Sequence, residues 1–188
     1  MSMIRTFLAV EVSRDVRRRA AKLVEQLSQS GANIKWVSHD NVHVTLGFLG
    51  DIDERQIPEL CHTAKIAIEG FEAFEINCET VGAFPNTSNP RTIWMGVQDG
   101  AETLCRLQSA LADALAADGY PQETRKYHPH LTLGRTRRGS RLRELVELLR
   151  ERESFVAGTA RIAEVVVFAS RLEPAGPIYH TLSRIPLA

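Results

Sequence analysis

The chain has 188 residues, 44% of them hydrophobic and 24% charged, with 23 Lys and Arg against 23 Asp and Glu. That length suits one substantial core or two closely packed lobes and leaves little room for two independent domains. The composition excludes disordered and fibrous classes, and the zero net charge means that a polyanionic partner must meet a local patch rather than the molecule's overall field.

Ile4 to Val12 reads as a strand. Ser13 is placed to cap a helix with Val16, Ala20, Leu23, Val24 and Leu27 on one stripe, ended by Gly31. Ile34 to Val37 is a short strand, and Ser38 to Asn41 a turn that delivers the chain into a strand over about 42–49. A helix over about 54–69 follows, with Pro58 tolerable only in its first turn. Phe74 to Ala83 alternates as a strand, and the polar Pro85 to Pro90 segment is the expected boundary between halves.

The second half opens with a strand, Arg91 to Val97. Asp99 and Glu102 have capping-box spacing for a helix carrying Leu104, Leu107, Leu111 and Leu115, which Gly119 closes. A polar loop, Tyr120 to Pro129, enters a strand over about 130–135. A helix beginning near Gly139 and Ser140 turns Leu142, Leu145, Val146 and Leu149 inward, and Arg161 to Leu172 and Ile178 to Ile185 complete the chain as two strands. An offset of 87 carries His43 onto His130 and Phe7-Leu8-Ala9-Val10 onto Trp94-Met95-Gly96-Val97, so the layout reads as a duplicated β-α-β-α-β unit of α+β class.

Within that layout His43-Val44-Thr45-Leu46 is echoed by His130-Leu131-Thr132-Leu133. Side chains alternate along a strand, so His43 and Thr45 share one face about 6–7 Å apart while Val44 and Leu46 enter the core; the second copy behaves alike. Two imidazoles can divide the roles of proton donor and acceptor near neutrality, a service worth about 10² to 10⁴ in rate for each. Threonine hydroxyls on the same face suit the oxygens of a tetrahedral phosphate. Arg135 and Phe48 each lie five residues beyond a motif histidine. That odd offset aims both away from the cleft in a regular strand, although at a strand end Arg135 could reach a phosphate and Phe48 could stack on a base. Around the second motif Arg125, Lys126, Arg135, Arg137, Arg138, Arg141 and Arg143 form a run without an acid.

The twin His-x-Thr-x motifs, with Phe48-Leu49-Gly50 after the first and Tyr127-His128-Pro129 and Gly134-Arg135 around the second, resemble the two-histidine (2H) phosphoesterase superfamily. Within it the chain is similar to the RNA 2′,3′-cyclic phosphodiesterases, also studied as 2′-5′ RNA ligases. Arg5 to Val10 and Lys35-Trp36-Val37 fit as well, and the likeness spans nearly the whole chain. It implies one domain over 1–188 made of two pseudo-symmetric lobes, with two antiparallel sheets facing a central cleft and helices outside. It also implies no metal or other cofactor, and opening of a terminal 2′,3′-cyclic phosphate to a 2′-phosphomonoester, with reversible 2′-5′ ligation as a companion reaction. His43 would be the proton donor to O3′ and His130 the base that activates water; Thr45, Thr132 and Arg135 would hold the phosphate. RNA or a nucleotide 2′,3′-cyclic phosphate is the expected partner, and the protein is expected to act as a monomer.

Three rival readings stay open. His128 and His130 share a strand face, as two metal ligands would, but no third ligand sits at telling spacing. A small substrate of the ADP-ribose cyclic phosphate type would use the same histidines. A non-catalytic RNA-end binding module would use the cleft without needing an acid and base pair. His39, His62 and His180 read as turn, exposed helix and strand residues. Cys61, Cys78 and Cys105 lack Cys-x-x-Cys spacing and read as small hydrophobes in a reducing compartment. With no apolar run near the roughly 20 residues of a membrane span and only a short one at Phe7 to Val10, the expected location is cytoplasmic and away from membranes.

Overall fold

A computed structural model describes residues 2–121, 123–174 and 176–188. Nine strands and four helices follow one another as β1 (Met3–Glu11), α1 (Arg14–Ser28), β2 (Ile34–Trp36), β3 (His43–Asp53), α2 (Ile57–Ala67), β4 (Phe74–Phe84), β5 (Thr92–Val97), α3 (Ala101–Ala117), β6 (His130–Thr136), α4 (Arg143–Glu151), β7 (Val156–Ile162), β8 (Glu164–Glu173) and β9 (Gly176–Pro186). All pairings are antiparallel, in the order β7-β4-β5-β6-β3-β1-β8-β9, with β2 on the side of β6. The α+β class stands. The two sheets expected from the sequence are continuous, joined at one ladder position where Val44 of β3 meets Leu131 of β6.

Alternation along the strands separates two faces. Leu8, Val10, Val44, Leu46, Leu131 and Leu133 face the main core under the helices, with Leu23, Leu60, Leu107 and Leu149. Phe7, Ala9, Val166 and Phe168 form a second, smaller cluster on the opposite face. Fully burying side chains of this size contributes about 1.5–3 kcal/mol each, so the helix-covered face dominates stability. The helices do not stay with the strands that precede them: α1 follows β1 but packs on β7 and α4, while α3 follows β5 but packs on α2 and β3. Ser13 accepts from the Val16 amide as the expected cap and also donates to the Thr159 carbonyl of β7 at 3.2 Å, fixing where α1 crosses. Arg152 donates to Gln26 at 2.9 Å, tying α4 to α1.

Several expectations need correction. The Pro85 to Pro90 segment is the turn of a hairpin, because β4 and β5 pair with each other. Arg161 to Leu172 is two strands broken at Ala163: β7 pairs with β4, whereas β8 pairs with β1 and β9. Nothing in that β-branched run breaks it locally, so the split is imposed by the sheet. The start of α3 is Gly100 at φ 78° with no side-chain cap, and Asp99, one residue before it, gives its backbone carbonyl to the Asn77 amide at 3.0 Å. A Cβ at Gly100 would also lie 2.4 Å from the Glu75 carbonyl oxygen. One 3₁₀ turn (Glu54–Gln56) precedes α2, which places Pro58 in the first helical turn, and α4 begins at Arg143. The three cysteines are unpaired, and burial pushes the Cys78 thiol up to about 12. Among the described residues no helix is long and apolar enough to cross a membrane.

Candidate active site

The single β3–β6 ladder pair sits between the two motifs. Because the strands run antiparallel through Val44 and Leu131, His43 lies toward the Thr132 end and Thr45 toward the His130 end. All four side chains line one cleft of about 1770 Å³. Both imidazoles are held alike. The Nδ1–H of His43 donates to the Asn41 carbonyl at 2.7 Å, and that of His130 to the His128 carbonyl at 2.6 Å. A carbonyl only accepts, so Nδ1 carries the proton and the basic nitrogen of each neutral ring is Nε2. In His43 that nitrogen accepts from the Thr45 hydroxyl at 3.0 Å. Asn41 is itself fixed by donation to the Pro177 carbonyl at 2.8 Å.

Burial disfavours the imidazolium at both positions. His43 is driven down from 6.5 to about 4, chiefly by desolvation against Phe7 and Tyr179, whose rings lie 5.1 and 5.5 Å away; its bond to Asn41 and the Glu11 carboxylate oppose the shift. His130 is lowered as well, first by desolvation, with Phe84 edge-on at 5.1 Å and the Arg135 charge nearby. An anion between them would offset both costs. Burial therefore biases both rings toward the neutral form.

Arg135 and Phe48 enter the cleft for a reason that strand alternation misses. Ala9 pairs with Thr45 and Leu8 with Gly47, so Leu46 is the extra residue of a bulge; Trp94 pairs with Thr132 and Ile93 with Gly134, so Leu133 is the same. A bulge shifts the alternation by one. The side chain five beyond each histidine, Phe48 or Arg135, therefore returns to the histidine's face, and both residues line the cleft. Arg135 donates to the Thr92 hydroxyl at 3.1 Å, and its charge is felt at Tyr179 on the opposite wall. Phe48 is 60% exposed, with its ring 5.5 Å from Phe7. A Cβ at Gly134 would fall 2.6 Å from the Trp36 ring, so glycine admits the β2 edge.

The basic run divides. Arg125, Lys126, Arg135 and Arg137 line the cleft, joined by Lys35 and Arg91 from distant segments, whereas Arg138, Arg141 and Arg143 do not. Arg143 instead pairs with Glu147. The lining carboxylates are Asp40, Glu123 and Glu173, leaving an excess of cations in a chain of zero net charge. Sequence reasoning placed Tyr127 among the residues of the family resemblance but gave it no role; its hydroxyl, partly buried, donates to the Thr45 carbonyl at 2.9 Å and ties the segment before His130 to the first motif. His39 pairs with Asp40, and His62 and His180 are exposed away from the cleft. Among the described residues no third metal-binding side chain gathers at His128 and His130.

The LigT-like phosphoesterase family model matches residues 10–94 and 96–179. An RNA 2′,3′-cyclic phosphodiesterase of Methanothermobacter thermautotrophicus is 35% identical over 176 residues, covering 94% of this chain and 95% of that one. Another of Thermotoga maritima is 32% identical, covering 95% and 93%. The crystal structure of E. coli LigT with 3′-AMP superposes with a TM-score of 0.80 at 22% identity, over 100% of this chain and 99% of that one, a likeness of fold. With the matched segments spanning most of the chain and both motifs falling inside them, this protein belongs to the LigT-like family of 2H phosphoesterases.

Proposed function

We propose that the protein hydrolyses the 2′,3′-cyclic phosphate at an RNA 3′ end to a 2′-phosphomonoester. The observation that carries this reading is the pairing of two like-held imidazoles, each with Nδ1 tied to a carbonyl two residues upstream, in one cleft. In the proposed step His130 Nε2 takes a proton from water as its oxygen attacks phosphorus. The P–O3′ bond breaks, and protonated His43 gives its Nε2 proton to O3′. The electron pair of the broken bond stays on O3′, and the phosphate remains on O2′. Thr45, Thr132 and Arg135 hold the non-bridging oxygens, while Phe48 stacks on the terminal base. A 5′-hydroxyl in place of water gives a 2′-5′ linkage by the same transfers. Relatives named RNA 2′,3′-cyclic phosphodiesterase support the substrate class.

One observation favours exchanged roles. His43 is driven down to about 4 and so is neutral, not poised as an acid, when no phosphate is bound. An incoming phosphate must lift His43 if it is to serve as the acid. A substrate whose 3′-oxygen is replaced by sulfur separates the two assignments, because a thiolate leaves without protonation. With His43 as acid, His43→Ala recovers activity on the sulfur substrate and His130→Ala does not; the opposite pattern reverses the roles. Absence of 2′-phosphate from an oligoribonucleotide cyclic phosphate, read by phosphorus NMR, would sink the proposal.

A further inference from the structure

The cleft holds more cationic surface than one phosphate requires. Lys35 of β2 pairs in register with Arg135 of β6, which pairs with Thr92 of β5. The three stand on one rung, and strands spaced about 4.8 Å apart make that rung roughly 10 Å wide. Arg91 and Arg137 extend it: the Thr136 amide between the two strand ends donates to the Arg91 carbonyl at 3.0 Å, and the Arg137 amide to the Asn33 carbonyl at 2.9 Å. All five side chains line the cleft.

Among the described residues Lys35, Arg91, Arg135 and Arg137 have no carboxylate partner, whereas Arg18, Arg55, Arg143, Arg171 and Arg184 elsewhere on the surface do. The Thr92 hydroxyl on the same rung accepts from Arg135 at 3.1 Å. The cleft, at about 1770 Å³, also exceeds the roughly 300–1,000 Å³ that a single small ligand occupies. A row of unpaired cations, leading away from the histidines along the β2–β6–β5 edge, matches a chain of phosphates better than a lone one.

We propose that Lys35, Arg91 and Arg137, continuing from Arg135, form a track for the sugar-phosphate backbone of single-stranded RNA on the 5′ side of the reacting end. The cleft then selects a polynucleotide over a mononucleotide. This rests on the hydrolytic reading above. Since the cyclic phosphate closes the 3′ end, the rest of an RNA chain leaves the terminal nucleotide only through its 5′ oxygen, and the track is where that chain lies.

The test compares kcat/KM for adenosine 2′,3′-cyclic phosphate with that for oligoribonucleotides of increasing length carrying the same end, using wild type and the Lys35→Gln/Arg137→Gln double variant. The wild type should gain about tenfold or more on going from mononucleotide to short oligomer. The double variant should lose most of that gain while turning over the mononucleotide within about twofold of wild type, which also shows it is folded. The slope of log kcat/KM against log salt for the oligomer should become shallower by about 1.4, at roughly 0.7 per lost phosphate contact. Equal kcat/KM for mononucleotide and oligomer, or a length gain unchanged in the double variant, overturns the track and leaves the hydrolytic reading intact. Turnover of neither substrate by wild type overturns that reading and the track with it.

Discussion

His43 and His130 occupy matching places in matching motifs, yet their surroundings differ. Around His43 the wall is aromatic: Phe7 beneath the ring, Tyr179 edge-on, Phe168 behind and Phe48 at the lip. Around His130 one wall is aromatic too, with Phe84 and Trp94, but the motif strand leads into Arg135 and the cationic rung. Phe48 and Arg135 are the same position of the repeat, 87 residues apart, delivered to the cleft by equivalent bulges. Two copies of one frame thus present an apolar half suited to a base and a charged half suited to phosphate. In the proposed reaction, symmetry supplies the proton chemistry and departure from symmetry supplies the grip.

If both histidines transfer protons, His43→Ala and His130→Ala each lower kcat by about 10² to 10⁴, and the double variant falls little further, because the two act as one unit. Single-turnover rates on a cyclic-phosphate oligomer check this, and full activity in either variant breaks the comparison at its shared element.

The next effect is on stability. His43 binds its proton near 6.5 when unfolded but near 4 when folded, so the unfolded chain takes up protons first as the pH falls. Stability contributed at neutral pH is lost between about 6.5 and 4, on the order of 3 kcal/mol at most. Urea midpoints across that range should slope more steeply in wild type than in His43→Gln; parallel slopes would remove the aromatic wall as the cause. The lowered His130 adds to the same trend.

Phe48→Ala should cost about 1–3 kcal/mol in kcat/KM if the ring stacks on a base, and the loss should be larger for purine than for pyrimidine ends. Arg135→Ala should weaken all ends alike. Equal base dependence in the two variants would erase the division between halves.

The smallest effect is expected from Tyr127→Phe, which removes one donor to the Thr45 carbonyl, worth about 1 kcal/mol. It should lower stability by about that amount, read as a small drop in urea midpoint, and lower kcat severalfold; a midpoint drop with kcat unchanged would make the bond a structural tie only.

Much of this was legible in the sequence. Helical stripes such as Val16, Ala20, Leu23 and Leu27, the Ser13 cap and both motifs follow from local rules, and each is formed. What escaped depends on the whole sheet. No local signal sends α1 across to β7 or divides Arg161 to Leu172 between two sheet neighbourhoods. Lys35 and Arg91 enter the cleft only because β2 and β5 flank β6. Strict alternation pointed Phe48 and Arg135 the wrong way, because bulges at Leu46 and Leu133 are properties of pairing with β1 and β5 and not of the strands alone.

Those two bulges act on the strand as a frame shift acts on a message. Residues before Leu46 or Leu133 are read in one phase of in and out, and those after it, as far as Phe48 and Arg135, in the other. Pairing the same six residues as a regular strand, with none left out of the ladder, would leave His-x-Thr untouched while turning Phe48 or Arg135 into the core, so a motif search would still count such a chain as intact although its cleft had lost that side chain. The unit that selection must preserve is therefore six residues long, His-x-Thr plus the extra residue, its glycine and the side chain returned to the cleft.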